Sequence, residues 1–263
     1  MRLPDHRLVF VGGLHRSGTT PLARCLGAHH QVSAFAGTGA KEDEGQHLQS
    51  VYPAAQAYGG AGRFALAPGS HLTESSALAS EHSAERLFDQ WRPHWDLSQP
   101  VLVEKSPPNL VMTRFLQRLY PESYMVMVVR HPVVVSLSTV KWSGGSLQRL
   151  MANWFAAHEI FRADAPHLRH VHTVNYESLV REPERTLAGV ASFLDLDGPI
   201  PAESIQGHRS QGYEQRWNDL ARSSSPWRRR TYHQIIDQYA DRALSFGYDL
   251  RDLDLAQGFP IAG

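Results

Sequence analysis

The residues best suited to bind an anion lie in the segment GGLHRSGTT at positions 12–20, directly after a short apolar run. From its second glycine, this segment has the spacing G-x-x-x-x-G-T-T and leads into a predicted helix. Glycines at this spacing allow backbone N–H groups to close around a phosphate-like anion at the helix N-terminus. Arg16 adds a cation, and Ser17, Thr19 and Thr20 add hydroxyl donors. The segment also fits a simple turn in which Thr19 or Thr20 caps the helix.

Thr19 stands where nucleotide-hydrolysing loops of this spacing carry a lysine. That lysine normally reaches the β- and γ-phosphates of ATP or GTP. Its replacement argues against hydrolysis of either nucleotide. The sequence therefore predicts a phosphate-like donor and no required metal, and it contains no metal-ligand spacing such as H-E-x-x-H.

A second candidate anion site follows the predicted strand at residues 124–129. Arg130 comes directly after this strand, and Pro132 favours the start of a helix. Ser138 lies about two turns into that helix, with Ser136 as an alternative on a different face. The planar guanidinium of arginine suits bidentate bonds to a phosphate. Two anion sites on different strands predict a nucleotide that is phosphorylated at both ends.

Group transfer from such a donor needs a cation near the reacting atoms and a base for the acceptor. Lys105 follows the predicted strand at residues 101–104 and is the candidate cation. Glu42, Glu44 and His47 are the candidate bases, in an acidic stretch behind the first helix. Acids at that place also suit the solvated first turn of a helix. The residues alone leave the choice of base open.

The elements that position these residues alternate along the chain. The predicted strands are residues 7–11, 101–104, 124–129 and 170–175. The predicted helices are residues 19–28, 75–91, 109–120, 147–161, 184–194 and 231–246, with a further helix from about Pro132. The first and third strands are apolar almost throughout, which is typical of parallel strands covered on both faces. The pattern predicts an α/β fold with a central parallel sheet.

The composition sets broader limits on function. The chain has 263 residues, with 26 Lys and Arg against 26 Asp and Glu, so its zero net charge disfavours a nucleic-acid partner. The single cysteine, Cys25, excludes an internal disulfide. The sequence shows no signal peptide or membrane span, and we expect a cytoplasmic protein. We also expect one domain over residues 1–263, with loop insertions near 36–70 and 206–227.

The stretch VGGLHRSGTTPLARCL resembles the 5′-phosphosulfate loop of sulfotransferases that use 3′-phosphoadenosine 5′-phosphosulfate (PAPS). It is most similar to the R-S-G-T-T form of the tyrosylprotein and related bacterial sulfotransferases. The resemblance implies a three-layer fold with a P-loop-like 5′-phosphosulfate-binding loop. It also implies that the 5′ end of the donor is bound by five loop residues: Arg16, Ser17, Gly18, Thr19 and Thr20.

Three later elements extend the resemblance. The R-H-P stretch and the serine eight positions after its arginine are similar to the element that binds the 3′-phosphate, which implies this role for Arg130 and Ser138. The stretch NYESLV is similar to an element whose tyrosine contacts the nucleotide, here Tyr176. A late basic segment usually closes over the 3′-phosphate and adenine. The candidates for it are Arg209, Arg222, Arg228, Arg229 and Arg230.

The stretch E-K-S-P is similar to the family's K-[DST]-P element, whose lysine, here Lys105, approaches the transferring group. Family alignment favours Glu44 as the base, with His47 and Glu42 as alternatives, and gives Arg16 a catalytic role in addition to binding. The implied reaction transfers a sulfuryl group to a hydroxyl of a small metabolite, glycan or lipid and releases 3′,5′-adenosine bisphosphate. The alternatives are a P-loop kinase and a non-catalytic nucleotide-binding protein.

Overall fold

Within the part of the chain that the structure describes, five parallel strands form one central sheet. The computed structural model describes residues 1–3, 5–205, 212–254, 256 and 259; Arg209 lies outside them. The strands are β1 (Arg7–Gly13), β2 (Val32–Ala34), β3 (Val101–Lys105), β4 (Tyr124–Val129) and β5 (Val171–Asn175), in the spatial order β2-β3-β1-β4-β5. The predicted parallel α/β architecture is therefore confirmed. The strand missed by prediction, β2, has only three residues, too few for a periodic pattern.

The register of the strands brings their carboxyl ends to one edge. Val11 of β1 pairs with Lys105, the last residue of β3, and Gly13 pairs with Val128 near the end of β4. Since all neighbouring strands are parallel, the segments that follow β1, β3, β4 and β5 emerge at the same edge. Open α/β sheets bind ligands there.

Helices cover both faces of the sheet. They are α1 (Thr19–Gly27), α2 (Glu81–Trp91), α3 (Thr113–Leu119), α4 (Pro132–Ser143), α5 (Leu147–Asp164), α6 (Tyr176–Arg181), α7 (Pro183–Phe193), α8 (Tyr213–Ala221) and α9 (Pro226–Leu244). One buried apolar cluster packs the sheet against α2, α3, α4, α5 and α9, and the other packs it against α1, α6 and α7. The two clusters and the sheet make the three predicted layers.

Two helices begin later than predicted, each for a local reason. Helix α2 starts at Glu81 because the Ser80 hydroxyl accepts a hydrogen bond from the Ser83 amide and caps the helix. Helix α3 starts at Thr113 because the two prolines of Pro107–Val111 favour a 3₁₀ turn there. Both helices were thus predicted, but the side-chain cap and the prolines place their first residues later than the sequence pattern indicated.

The two expected loop insertions differ in structure. Residues 36–70 contain short 3₁₀ turns, including Lys41–Asp43, Gly45–His47 and Ala55–Tyr58. The second segment was predicted as a polar surface loop, but Tyr213–Ala221 forms helix α8. Trp217 explains this difference, because its side chain is buried and its Nε1 donates to the Leu250 carbonyl at 2.7 Å. Among the residues described, no helix is both long and apolar enough to cross a membrane.

Candidate active site

The segment that joins β1 to α1 is a tight turn with an unusual backbone. Arg16 has φ 73° and Gly18 has φ 106°, both in the left-handed region. A Cβ atom at Gly18 would overlap the ring of Tyr176, so glycine is required there by backbone angle and by contact. Ser17 is buried, and its Oγ donates to the Leu14 carbonyl at 2.6 Å. The Ser17 side chain therefore closes the turn.

The N-terminus of α1 faces the cavity beside this turn. Gly18 occupies the N-cap position and offers no side chain to the first amides of the helix, and the first turn carries no acid. An anion is stabilised at such a helix end by the N–H groups and by the helix dipole. Thr19 and Thr20, in the first turn, both line the cavity.

Arg130 ties the two predicted anion-binding elements together. Its side chain is buried at the end of β4, and its Nη1 donates to the Arg16 carbonyl at 2.8 Å. The guanidinium lies over the Tyr176 ring, 4.0 Å from the centroid, in cation–π geometry. Burial lowers the pKa of Arg130 from its ordinary value, but the group stays charged at neutral pH because that value is so high.

We call the cavity around these residues the loop cavity; its volume is about 460 Å³. Of the residues predicted to bind a nucleotide, it is lined by Arg16, Gly18, Thr19, Thr20, Arg130 and Tyr176. Sequence reasoning missed Pro21, Arg24, Glu203, Ser204 and Tyr213 in its lining. A helical spacing of four from Thr20 could have found Arg24. The others follow no pattern in the sequence.

Ser138 and the four described late arginines lie outside the lining of the loop cavity. Ser138 is buried in α4, where its Oγ donates to the Val135 carbonyl at 3.0 Å, and its role with a 3′-phosphate stays a prediction. Its alternative, Ser136, is also buried, with its Oγ 3.3 Å from Met151 Sδ. The four described late arginines are exposed: Arg222, Arg228, Arg229 and Arg230. Arg228 lines a different cavity, beside Trp227.

Lys105, the candidate cation, and Glu44, the base favoured by the family resemblance, form a buried ion pair. Lys105 Nζ lies 3.4 Å from Glu44 Oε1, and the two side chains are 5% and 7% exposed. The same Nζ donates to the Glu42 carbonyl at 2.7 Å. On the other side of the carboxylate, Gln46 Nε2 donates to Glu44 Oε2, and His47 Nε2 lies 3.6 Å from that oxygen. The Glu44 carboxylate is therefore held in one place by charge and by a hydrogen bond.

A second cavity of about 520 Å³, here the side cavity, adjoins the loop cavity. Its lining is His15, Arg16, Thr19, Thr20, Lys41, Glu42, Glu44, Gln56, Gly59, Gly60, Ala61, Pro107 and Ser143. Four of these residues also line the loop cavity: Arg16, Thr19, Thr20 and Glu42. Of the base candidates, Glu42 borders both cavities, Glu44 borders the side cavity, and His47 is in neither lining. The cavities thus meet at the loop.

The backbone of the acidic segment is strained where it crosses this junction. Glu42 has φ 55° and Asp43 has φ 50°, in a region that side-chain-bearing residues seldom adopt. The carboxylate of Asp43 fixes the turn by accepting from the Thr38 amide and hydroxyl, each at 2.7 Å. These bonds, first of all that from the hydroxyl, lower the pKa of Asp43. Nearby, removal from water lowers the pKa of His15 to about 3, so its imidazole is neutral at physiological pH.

The central parallel sheet with helices on both faces, and with a glycine-containing turn and cavities at its carboxyl edge, defines a three-layer α/β protein. Within that class, the model of the sulfotransferase family matches residues 9–199. The chain belongs to the sulfotransferase family. The resemblance drawn from the loop and the three later elements is thereby confirmed.

Two curated relatives carry names that describe protein-tyrosine sulfotransferases. A putative protein-tyrosine sulfotransferase of Caenorhabditis briggsae is 25% identical over 269 residues, with 94% of this chain and 85% of the relative covered. Protein-tyrosine sulfotransferase 2 of Gallus gallus is 24% identical over 198 residues, covering 72% of this chain. The match spans 51%, about half, of the Gallus gallus protein.

Solved structures of mycobacterial sulfotransferases share the fold. One from Mycobacterium avium has a TM-score of 0.51 at 15% identity, covering 91% of this chain and 77% of its own. One from Mycobacterium tuberculosis has a TM-score of 0.51 at 16% identity, covering 90% and 77%. At these identities, the likeness establishes the three-layer architecture alone.

Among the described residues, no group of His, Cys, Asp or Glu side chains is arranged to hold a metal ion.

Proposed function

We propose that this protein transfers a sulfuryl group from PAPS to a hydroxyl of an acceptor. The observation that carries the proposal is the bond from Arg130 Nη1 to the Arg16 carbonyl, 2.8 Å long, within the wall of one cavity. It joins the two elements that were independently predicted to bind anions. A nucleotide with phosphate-like groups at both ends matches such a pair of sites.

The lining of the loop cavity fits this donor. Arg16, Arg24 and Arg130 provide three cations, against the carboxylates of Glu42 and Glu203. The loop turn and the N-terminus of α1 suit the 5′-phosphosulfate, and Arg130 suits the 3′-phosphate because its guanidinium can form bidentate bonds. The Tyr176 ring supports that guanidinium. PAPS supplies the activated sulfuryl group.

The junction of the cavities suits the chemistry of transfer. The acceptor oxygen forms a bond to sulfur as the bond between sulfur and the bridging phosphate oxygen breaks, releasing 3′,5′-adenosine bisphosphate. In our proposal Glu44 takes the proton of the acceptor hydroxyl. Arg16 and Lys105 stabilise the negative charge that develops on the leaving oxygen. Lys105 acts from its position against residues 42–44, where its Nζ donates to the Glu42 carbonyl and pairs with the Glu44 carboxylate.

We assign the acceptor to the side cavity, since Glu44 borders it and it opens at the loop. The sequence alone suggested a hydroxyl of a small metabolite, glycan or lipid. A second candidate is the phenol of a protein tyrosine, favoured by the names of the two relatives. Both acceptor classes present the same reacting group. An acceptor panel can therefore separate them without changing the proposed roles of the residues.

Donor binding is tested by thermal shift with 3′,5′-adenosine bisphosphate and, separately, with ATP and Mg²⁺. A ligand that binds the native state raises the melting temperature by mass action. We expect stabilisation by the bisphosphate and little by ATP and Mg²⁺. A preference for ATP and Mg²⁺ would instead support a P-loop kinase and overturn the proposal.

Transfer is tested with ³⁵S-labelled PAPS and a panel of phenols, tyrosyl peptides, glycans and lipids bearing hydroxyl groups. We expect Glu44→Gln to lower kcat about 10²-fold or more, the usual contribution of a general base, with bisphosphate binding retained. Glu42→Gln is the matched control, because it alters the neighbouring carboxylate that borders both cavities. If Glu42→Gln abolishes transfer and Glu44→Gln does not, our choice of base is wrong. If the wild type transfers to no acceptor but binds the bisphosphate, the protein is a binding module.

A further inference from the structure

Glu104 is a buried carboxylate to which the proposed chemistry gives no part. It immediately precedes Lys105 in β3 and has no exposed surface. Consecutive strand residues point to opposite faces, so its side chain lies on the other side of the sheet from that of Lys105. Ser106 Oγ donates to Glu104 Oε1 and Asn109 Nδ2 donates to Glu104 Oε2, each at 2.6 Å. Burial raises the pKa of Glu104 to about 7, so the site keeps a costly group in the interior.

The hydrogen bonds of Glu104 lead to the acidic segment. Ser106 Oγ, which donates to Glu104, also accepts from the amide of Gln46 at 2.9 Å. Because its one proton goes to Glu104, the hydroxyl oxygen is oriented to receive that amide. Asn109 Nδ2 donates in addition to the Val11 carbonyl at 3.1 Å, which fixes Glu104 against β1. Glu104 is thus connected to both the sheet and the segment that carries Glu44.

Gly45 packs directly against the carboxylate. A Cβ atom at this position would overlap Oε1, Cγ and Cδ of Glu104, although the backbone of Gly45 is not in the left-handed region. The Gly45 carbonyl accepts from Trp91 Nε1 at 3.0 Å, so the segment is fastened from the opposite side as well. The close approach of backbone to carboxylate therefore fixes how near residues 44–46 lie to the end of β3.

Gln46 passes this placement on to the proposed base. Its Nε2 donates to Glu44 Oε2, and its Oε1 accepts from the Ala55 amide at 2.8 Å. Both ends of the Gln46 amide are thus used, and its amide orientation follows from the two partners. The Glu44 carboxylate, oriented by Gln46, meets Lys105 with its other oxygen.

We infer that Glu104 is a positioning residue for sulfuryl transfer. Through Ser106 and the close contact with Gly45, it sets residues 44–46 so that the Glu44 carboxylate faces Lys105 and the side cavity. This inference rests on the proposed function, since it gives Glu104 an effect only through the base. A glutamine cannot replace the carboxylate fully, because it has one acceptor oxygen for two donors, Ser106 and Asn109.

The first test is Glu104→Gln, assayed for kcat, acceptor KM and the dissociation constant of 3′,5′-adenosine bisphosphate. We expect kcat to fall about 10-fold to 100-fold, the scale of a misplacement of about 1 Å, with bisphosphate affinity unchanged within about twofold. The matched control is Asp164→Asn. Asp164, at the end of α5, is another buried carboxylate, and its two side-chain partners are His71 and Arg114. We expect the substitution to remove comparable buried bonds but to leave kcat unchanged. Equal kcat losses in both variants would overturn the inference.

A coupling test covers the case in which Glu104→Gln disturbs folding. Gly45→Ala should lower kcat about 100-fold in the wild-type background, because the new Cβ meets the carboxylate. In a Glu104→Ala background, Gly45→Ala should cost less than about threefold, since the obstructing atoms are gone. If the kcat losses of Gly45→Ala and Glu104→Ala simply multiply in the double variant, Glu104 does not act through residues 44–46 and the inference is wrong.

The same assays separate this inference from the proposed function. If Glu44→Gln transfers the sulfuryl group normally, Glu44 is not the base and the positioning role of Glu104 is overturned with it, while sulfuryl transfer by the protein still stands. If Glu44→Gln is impaired and Glu104→Gln keeps full kcat, only the positioning role of Glu104 is overturned. If Glu104→Gln is impaired as much in bisphosphate binding as in kcat, the residue supports the whole edge of the sheet, and the inference is again wrong.

Discussion

The loop cavity and the side cavity meet at the same four residues, but they are built in different ways. Most of the loop cavity wall comes from three strand-to-helix junctions, which supply the loop turn, the N-terminus of α1, Arg130 and Tyr176. In the side cavity, the Glu44 carboxylate is held by the side chains of Lys105 and Gln46, and the backbone amide of Gln46 in turn donates to Ser106 Oγ. The loop cavity therefore depends mostly on backbone geometry at helix ends, and the side cavity depends mostly on contacts made by buried side chains.

Because the two cavities are built differently, different substitutions should disrupt them. Backbone amides at a helix end do not titrate and depend little on which side chains surround them. The acidic segment depends on buried carboxylates and on strained residues, Glu42 and Asp43. Substitutions that alter the loop backbone should therefore affect donor binding, whereas substitutions in the network around Glu104 should affect transfer and respond to pH.

The largest effect should come from Gly18→Ala, which tests the dependence on local backbone. An alanine there has an unfavourable φ of 106° and overlaps the Tyr176 ring. Strain and overpacking together cost about 4 kcal/mol, so the affinity for 3′,5′-adenosine bisphosphate should fall on the order of 10³-fold by calorimetry. Gly198→Ala is the control, with φ 92° but nothing near its Cβ. We expect only Gly18→Ala to lose affinity for the bisphosphate. If both variants bind it equally well, the loop cavity does not depend on this backbone geometry.

The second effect is a pH dependence of stability carried by Glu104. Its pKa is raised in the folded state from 4.5 to about 7, mainly by burial, against the hydrogen bonds from Ser106 and Asn109 and the charge of Lys105. A raised pKa gives stability that is complete below about pH 4.5 and is lost as pH rises through about 7. Relative to Glu104→Gln, the wild type should lose on the order of 3 kcal/mol of unfolding free energy over that range.

Urea unfolding of both proteins across this pH range measures the difference directly. The buried histidines are common to wild type and variant, so their contributions cancel in the comparison. If the difference in unfolding free energy between wild type and Glu104→Gln stays constant with pH, Glu104 does not change protonation in this range. The proposed contrast in pH response between the side cavity and the loop cavity would then be wrong.

The smallest effect should come from Arg130→Lys, which keeps the charge but removes the planar fork and its stacking on Tyr176. We expect the preference for 3′,5′-adenosine bisphosphate over adenosine 5′-phosphate to fall about 10-fold, since one charge-assisted hydrogen bond is worth about 1.5 kcal/mol or more. Arg222→Lys, at an exposed arginine outside the lining, is the control and should leave the ratio unchanged. An unchanged ratio for Arg130→Lys would place the 3′-phosphate elsewhere.

The same contrast explains which parts of the molecule could be predicted. The spacing of the loop and the apolar strands β1 and β4 identified the parallel sheet and placed Arg16 and Arg130 at one edge. These features are local, so the residues that define them are neighbours in the sequence. The exception was α8, which is polar in sequence and helical because the buried Trp217 anchors it.

The side cavity was predicted less completely for the same reason. Glu44, Lys105 and the other candidate bases were named, but Glu104 was missed as a functional residue and assigned only to a strand. Its bonds to Ser106 and Asn109 are local, while its effect on Gly45 and Gln46 spans about 60 positions. No periodicity or motif reports a contact of that length. Only the fold brings those segments together.

The shared lining of the two cavities has a consequence for inhibitor design. Arg16, Thr19, Thr20 and Glu42 border both spaces, so the two cavities adjoin at these residues. Under the proposed function, a bisubstrate compound, with an adenosine bisphosphate joined by a short linker to an acceptor mimic, would span this junction. Joining the two halves makes the second binding event intramolecular, which raises affinity about 10²-fold to 10⁴-fold when the linker fits. The acceptor half of such a molecule would supply its selectivity among proteins that bind the same nucleotide.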